Sequence, residues 1–426
     1  MAIKQILHSV LKKGLGFNIL TLVTGTAIAQ LIPILIQPFL RRTYTPEDFG
    51  LFSVYTSIIG ITTIFYSLRY PLMINVPKND LIAKNIFSLT LFIAGGFTLI
   101  SYILIILFNE LLLSFLNIPL DKAYVLYFIP LSSLLFSVFQ AINLYLIRNK
   151  QFKVSSLNKI YRRSFEGVIN VVFGIFNKPV GLVFGDIIGN IVNIISGSLR
   201  LKNIGLDFKH VSFKRMIYIL KRYSDMPIYN TLPSAFNSMC LYLPALYINK
   251  YYSSTFAGYF HLTTLVLSVP IVFIGKSISE AMIQRVSEKK HNRMKIGRDV
   301  FKLMKTLGLI SVVMAITIWI GGPFIFKIAF GTDYYISGVY AQIFVLLAAI
   351  RLVVSPLNNV IFFILEKNKI FAVWQTMYFL AILCLPFLTR LSFLSFVWAI
   401  VIISSTFYLI AFFIIRFIVI HYDKSL

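Results

Sequence analysis

Residues 86–108 read Ile86-Phe87-Ser88-Leu89-Thr90-Leu91-Phe92-Ile93-Ala94-Gly95-Gly96-Phe97-Thr98-Leu99-Ile100-Ser101-Tyr102-Ile103-Leu104-Ile105-Ile106-Leu107-Phe108, without one charged side chain. A helix needs about 20 mostly apolar residues to cross a bilayer, whereas barrel strands show as alternating segments of about 10. The run is long and continuous, so it predicts a transmembrane helix, whose backbone hydrogen bonds all close within the segment. Comparable runs lie near 17–39, 49–68, 123–147, 160–176, 180–199, 226–248, 258–280, 301–320, 338–365, 369–389 and 392–420. The expected fold is therefore an all-α polytopic membrane protein with about twelve transmembrane helices. Composition agrees: the 426 residues are 58% hydrophobic and 13% charged, too few polar groups to cover a soluble surface.

The net charge is +25, from 40 Lys and Arg against 15 Asp and Glu. In a soluble chain that excess would suggest nucleic-acid binding; in a membrane chain it reports orientation. Alternate connections hold 32 basic residues on one side, the side of the N-terminus, and 7 on the other (Arg41, Arg42, Lys122, Lys178, Lys250, Lys327 and Arg390), leaving Arg351 inside a span. The positive-inside rule then puts both termini in the cytoplasm, and no nucleic-acid partner is expected. Lys4, Lys12 and Lys13 precede Ala27-Ile28-Ala29, which imitates a signal-peptidase site. Apolar character continues through 31–40, so the first helix is expected to stay, preceded by an interfacial segment with Ile3, Ile6, Leu7, Val10 and Leu11 on one face. Cys240 and Cys384 each fall in an apolar run and are expected as buried free thiols.

The inner connection 200–225, with an amphipathic stretch at 213–223, divides the chain into two groups of six helices, 1–210 and 211–426. Arg41-Arg42-Thr43-Tyr44-Thr45-Pro46-Glu47-Asp48-Phe49-Gly50-Leu51-Phe52 aligns without a gap on Asn249-Lys250-Tyr251-Tyr252-Ser253-Ser254-Thr255-Phe256-Ala257-Gly258-Tyr259-Phe260, with Tyr, Gly and Phe coincident. Both stretches form the outer turn between the first and second helices of their group. Such a repeat gives lobes related by an axis along the membrane normal, with a site between them at the bilayer midplane and alternating access. The longest outer connection, 321–337, is too short for an external domain.

Orientation does not explain every charge. A charge at a helix centre costs roughly 2.5–3.5 kcal/mol on insertion scales, so Arg351, in Ala348-Ala349-Ile350-Arg351-Leu352-Val353, requires either an acid partner or a polar cavity. Arg69 and Lys276 sit near the inner ends of the second helix of each lobe, where they either snorkel to the interface or line an inward-facing anion site. Glu166 and Asp186 are the acids within apolar runs, candidates for pairing with Arg351 or for ion coupling. Enzyme motifs are missing: Gly275-Lys276-Ser277 lacks the first glycine of a phosphate loop because Pro270 stands there, and no Gly-x-Ser-x-Gly, His-Glu-x-x-His or paired-Cys spacing occurs. No enzyme activity, metal or cofactor is expected.

The pattern resembles the Wzx-type O-antigen and polysaccharide flippases of the multidrug/oligosaccharidyl-lipid/polysaccharide exporter superfamily. The resemblance is carried by Phe17-Asn18 through Gln37-Pro38-Phe39-Leu40, by Tyr44-Thr45-Pro46-Glu47-Asp48-Phe49-Gly50, by Gly181-Leu182-Val183-Phe184-Gly185-Asp186-Ile187-Ile188-Gly189, and by Lys221-Arg222-Tyr223-Ser224-Asp225-Met226-Pro227. It implies movement of an undecaprenyl-diphosphate-linked oligosaccharide from the cytoplasmic to the periplasmic leaflet of a bacterial inner membrane, with membrane lipid around it, H+ or Na+ as candidate coupling ions, and polysaccharide assembly proteins as candidate associates. Two alternatives are a multidrug cation antiporter of the same superfamily, disfavoured by the preponderance of buried cations, and an O-antigen polymerase or ligase, disfavoured by the short outer connections.

Overall fold

The computed structural model describes residues 14–207, 211–224 and 230–426, without the side chains of 14–23, 276, 277, 280, 281 and 359. The expected N-terminal interfacial segment lies outside the described residues, as does the Asp225-Met226-Pro227 approach to the seventh helix. The described residues are almost wholly helical and contain no strand. In chain order the helices are α1 (Gly14–Thr43), α2 (Pro46–Ser67), α3 (Asp80–Leu107), α4 (Asn109–Leu116), α5 (Tyr124–Arg148), α6 (Phe152–Ile175), α7 (Gly181–Asn203) and α8 (Phe213–Arg222). They continue as α9 (Leu232–Tyr251), α10 (Ser254–His291), α11 (Gly297–Phe330), α12 (Tyr335–Ile364), α13 (Asn368–Leu383) and α14 (Phe393–Lys424).

Nine segments among the described residues are long and apolar enough to cross a membrane: they contain α2, α3, α5, α7, the start of α10, α11, α12, α13 and α14. Their outward faces confirm the solvent: Phe92, Leu99, Ile103 and Ile106 recur at helical spacing along α3, all exposed, as do Leu309, Ile316, Trp319, Ile320 and Phe324 along α11. Such stripes are what lipid, not water, tolerates. The helix α6 falls outside the group because Lys153, Lys159, Arg162, Arg163 and Glu166 interrupt its apolar character.

Two boundaries and one burial differ from the sequence reading. The expected outer connection 321–337 is mostly helix, since α11 runs on to Phe330 and α12 begins at Tyr335. Gly321, Gly322 and Pro323 look like a break, yet Gly322 packs against the carbonyl of Gly338, and a Cβ on Gly338 would stand 2.6 Å from the carbonyl oxygen of Gly322. These small residues bring α11 and α12 together rather than ending a helix. Likewise α10 continues to His291, so Lys276, Arg285, Lys289 and Lys290 lie on a helix rather than in a connection. Finally, Cys384 is exposed at the C-terminal cap of α13, not buried; Cys240 is buried, and both are free.

The chain forms two compact units, Met1–Thr45 with Val54–Ser238, and Pro46–Ser53 with Met239–Leu426. In the first, α6 packs on α7 and α1, α5 on α7 and α3, and α8 on α3. In the second, α12 is central, packed by α10, α11 and α14. The second unit also holds a reciprocal crossing. A Cβ on Gly50 would lie 1.8 Å from the Ser254 carbonyl oxygen, and one on Gly258 1.8 Å from the Pro46 carbonyl oxygen. The repeat pairs Gly50 with Gly258 and Pro46 with Ser254, so both halves of the contact use equivalent positions, and glycine is required because the backbones touch. Pro46 at the start of α2, the acids Glu47 and Asp48 in its first turn, and Ser253 accepting the Phe256 N–H at 3.2 Å fix where the two helices begin.

Candidate functional site

Helix α6 carries Asn158, Arg162, Glu166 and Asn170 at four-residue intervals, so all four share one face, and all four are buried. They are accommodated because α7 presents Gly181, Gly185 and Gly189 at the same spacing. A Cβ on Gly185 would come within 2.8 Å of the Glu166 carbonyl oxygen, and one on Gly189 within 2.7 Å of that of Arg162. Close backbone approach through small residues is the usual basis of helix association in lipid. It also brings the polar face of α6 against Asp186, Asn190 and Asn193 of α7, all buried.

The result is a paired network. Arg162 donates from Nη2 to Asp186 Oδ1 at 3.1 Å. Asn190 Nδ2 donates to the same oxygen at 3.1 Å, and the Tyr55 hydroxyl donates to Asp186 Oδ2 at 3.2 Å. Tyr55 also shares a short hydroxyl contact with Ser132. The Arg162 guanidinium lies over the rings of Phe136 and Phe139, at 5.1 and 4.9 Å. One turn away, Arg163 Nη1 donates to both oxygens of Glu166, at 2.9 and 2.7 Å. Asp186 is thus ion-paired with Arg162 and Glu166 with Arg163, both pairs lying within the first unit. Those two arginines, counted with the inner connection in the sequence reading, were missed as site residues; the four-residue spacing from Asn158 to Asn170 is the signal that reveals them.

Arg351 lies midway along α12 in the second unit, half-buried. Its Nε is buried and meets no hydrogen-bond partner among the described residues. Its guanidinium stands 5.5 Å from the ring centre of Tyr408, and it lines a cavity of about 70 Å³. The other walls include Thr264, Ser268, Tyr378, Ser404 and Cys240. Tyr378 donates its hydroxyl to Ser404 Oγ at 3.0 Å, and Gln375 Nε2 donates to Cys240 Sγ at 3.6 Å. The cavity therefore joins one uncompensated cation to several hydroxyls, an arrangement suited to an anion or to water.

Arg69 sits two residues beyond the end of α2, where it caps a short 3-10 turn, Tyr70–Asn75. Leu68 and Arg69 both have left-handed backbones, with φ of 43° and 60°, an uncommon state for side chains of this size. The Arg69 Nε is buried without a partner among the described residues, and burial pulls the guanidinium below its ordinary pKa. Lys276 lies in α10; its side chain lies outside the described residues. No group of His, Cys, Asp and Glu suited to a metal occurs among the described residues.

Arranged in this way, the helices define a class, the transporter fold shared by flippases and drug exporters of the MOP superfamily. A lipid II flippase, MurJ in an inward closed conformation, superposes with a TM-score of 0.71 at 14% identity, over 95% of this chain and 90% of its own. The multidrug transporter DinF-BH gives 0.64 at 16% identity, over 98% and 97%. A MOP superfamily transporter from Pyrococcus furiosus, described as having a binding pocket of reverse polarity, gives 0.60 at 13% identity, over 95% and 96%. No curated protein matches the sequence significantly. The model of the polysaccharide biosynthesis protein family matches residues 39–337, and the chain belongs to that family. Family and fold together support the resemblance to Wzx-type flippases of the superfamily. Arg351 lies beyond the matched segment.

Proposed function

We propose that this chain is a flippase that moves an undecaprenyl-diphosphate-linked oligosaccharide, an O-antigen or similar repeat unit, from the cytoplasmic to the periplasmic leaflet by alternating access. It is not an enzyme in this reading. The observation that carries the proposal is Arg351, a cation inside the membrane with no acid partner among the described residues, beside a small cavity whose mostly apolar wall also carries the hydroxyls of Thr264, Ser268, Tyr378 and Ser404. An uncompensated charge at this depth is costly and is retained where it faces an ion or substrate path. A cavity needs about 10–15 Å³ to hold one water, so about 70 Å³ suits several waters or a phosphate group, and the glycan requires the site to widen. Arg351 would hold the diphosphate, with Arg69 and Lys276 gathering it from the inner leaflet. An inside-negative potential favours outward movement of the anion by about 2.3 kcal/mol per charge per 100 mV.

The same reading takes the twelve-helix topology with cytoplasmic termini, lobes 1–210 and 211–426, and residence in a bacterial inner membrane. H+ or Na+ coupling through Asp186 or Glu166 would first require release of Arg162 or Arg163. The family favours polysaccharide as cargo over drugs, and Arg351 repels the cations that a multidrug antiporter carries. The test is complementation of a strain lacking its O-antigen flippase: restored surface polysaccharide, with loss of the accumulated lipid-linked precursor, supports the reading. Failure to restore it by a well-expressed protein, tested across several repeat-unit backgrounds, together with gained resistance to cationic drugs, would replace it with the antiporter.

A further inference from the structure

Helix α8 faces three environments at once. Ile219 is buried and Met216 packs beside it, in a cluster with Ile86, Phe87 and Tyr145. Phe213, Ile217 and Leu220 form a second apolar sector, and all three are exposed. At 100° per residue these three fall within about 60° of one another, on the side turned away from Ile219. The third sector carries Lys214, Arg215, Lys221 and Arg222, with no acid anywhere on the helix.

Contacts with α3 set the depth of α8. Ser212 donates its N–H to Asn85 Oδ1 at 3.2 Å, and the Phe213 ring meets the edge of Phe92 at 6.0 Å. Phe92 belongs to the exposed apolar stripe of α3, so Phe213 extends a surface that already faces lipid. At about 1.5 Å per residue, the 28 residues of α3 run about 42 Å. That exceeds the hydrocarbon thickness of about 30 Å, and the charges of α3, Asp80 and Lys84, lie in its first turns, so that end, and α8 with it, stands at the headgroup boundary. Arg222 donates to the Tyr218 hydroxyl at 2.6 Å and lies 5.8 Å from the Tyr218 and Tyr223 rings, which gives the basic sector the aromatic partners common at interfaces.

We propose that α8 is an interfacial element that binds anionic phospholipid, with Phe213, Ile217 and Leu220 in the acyl-chain boundary and Lys214, Arg215, Lys221 and Arg222 on the headgroups. A surface-lying helix with this division of faces draws affinity from both buried apolar area and anionic lipid. Each basic residue near such a surface contributes about fivefold in affinity, an attraction that salt screens.

The test is hydrogen exchange of the full chain in nanodiscs of phosphatidylcholine, with and without 30% phosphatidylglycerol. The amides of α8 exchange at least fivefold more slowly with phosphatidylglycerol, and K214Q/R215Q/K221Q/R222Q removes the difference. Neutralising Lys295, Arg298, Lys302 and Lys305 to Gln leaves it. If the α8 variant does not fold, the wild type in 0.5 M NaCl serves the same purpose and loses the difference. Equal exchange in both lipids overturns the proposal, as does equal loss of protection in the two quadruple variants. Protection that inorganic phosphate alone reproduces in phosphatidylcholine would assign the basic sector to a free anion and likewise overturn it.

Discussion

Arg162 and Arg351 both stand inside helices of a membrane protein, one in each unit, in opposite circumstances. Arg162 donates to Asp186, lies over two phenylalanine rings, and belongs to a network in which Asp186 receives three side-chain donors. Arg351 has a tyrosine ring, a small cavity and no carboxylate partner among the described residues. The first arrangement spends its charge on holding α6 to α7. The second leaves its charge available. Buried cations alone therefore do not mark a transport site; the state of their partners separates scaffold from candidate site.

The comparison is easiest to break at Arg162. Arg162→Ala leaves Asp186 buried without its countercharge, and removing one member of a buried pair costs about 3–5 kcal/mol. The thermal midpoint in detergent should fall further than for Gly185→Leu, Tyr408→Leu or Arg351→Met, and replacing both partners, R162M/D186L, should recover much of the loss. A midpoint unchanged in Arg162→Ala would show that the pair does not hold the unit together. Next in size is Gly185→Leu, which forces α7 off the α6 backbone; overpacking of this kind costs about 1–3 kcal/mol and should also expose the α6 amides to hydrogen exchange. Tyr408→Leu removes the ring beside Arg351, and a cation–π contact is worth about 0.5–2 kcal/mol, so a smaller drop in midpoint is expected. Smallest is Arg351→Met: no ion pair is lost and a desolvated charge is relieved, so stability should stay within about 1 kcal/mol of wild type.

Much of the architecture was legible from sequence because the bilayer imposes a single demand, uninterrupted apolar length, that residues 86–108 or 392–420 meet plainly. Legibility failed where one residue type serves two purposes. Gly322 and Pro323 signal a turn in water but close helix packing in lipid, which is why α11 ran further than expected. Arg162 and Arg163 resembled orientation-setting charge because a basic count ignores which face of α6 each occupies. The position of Arg351 in its span was plain; that it has no acid partner among the described residues depends on side chains far apart in the chain, which no local pattern records. The Gly50 and Gly258 equivalence emerged as a short repeat, and its physical reason, two backbones crossing at equivalent carbonyls, needed coordinates.

The most direct test of the account measures transport and thermal midpoint together on Arg351→Ala and Arg351→Lys, in vesicles loaded with a polyprenyl-diphosphate-linked oligosaccharide. The account predicts near-wild-type midpoints for both, transport reduced more than tenfold in Arg351→Ala, and partial activity in Arg351→Lys. Full transport by a stably folded Arg351→Ala protein would contradict it.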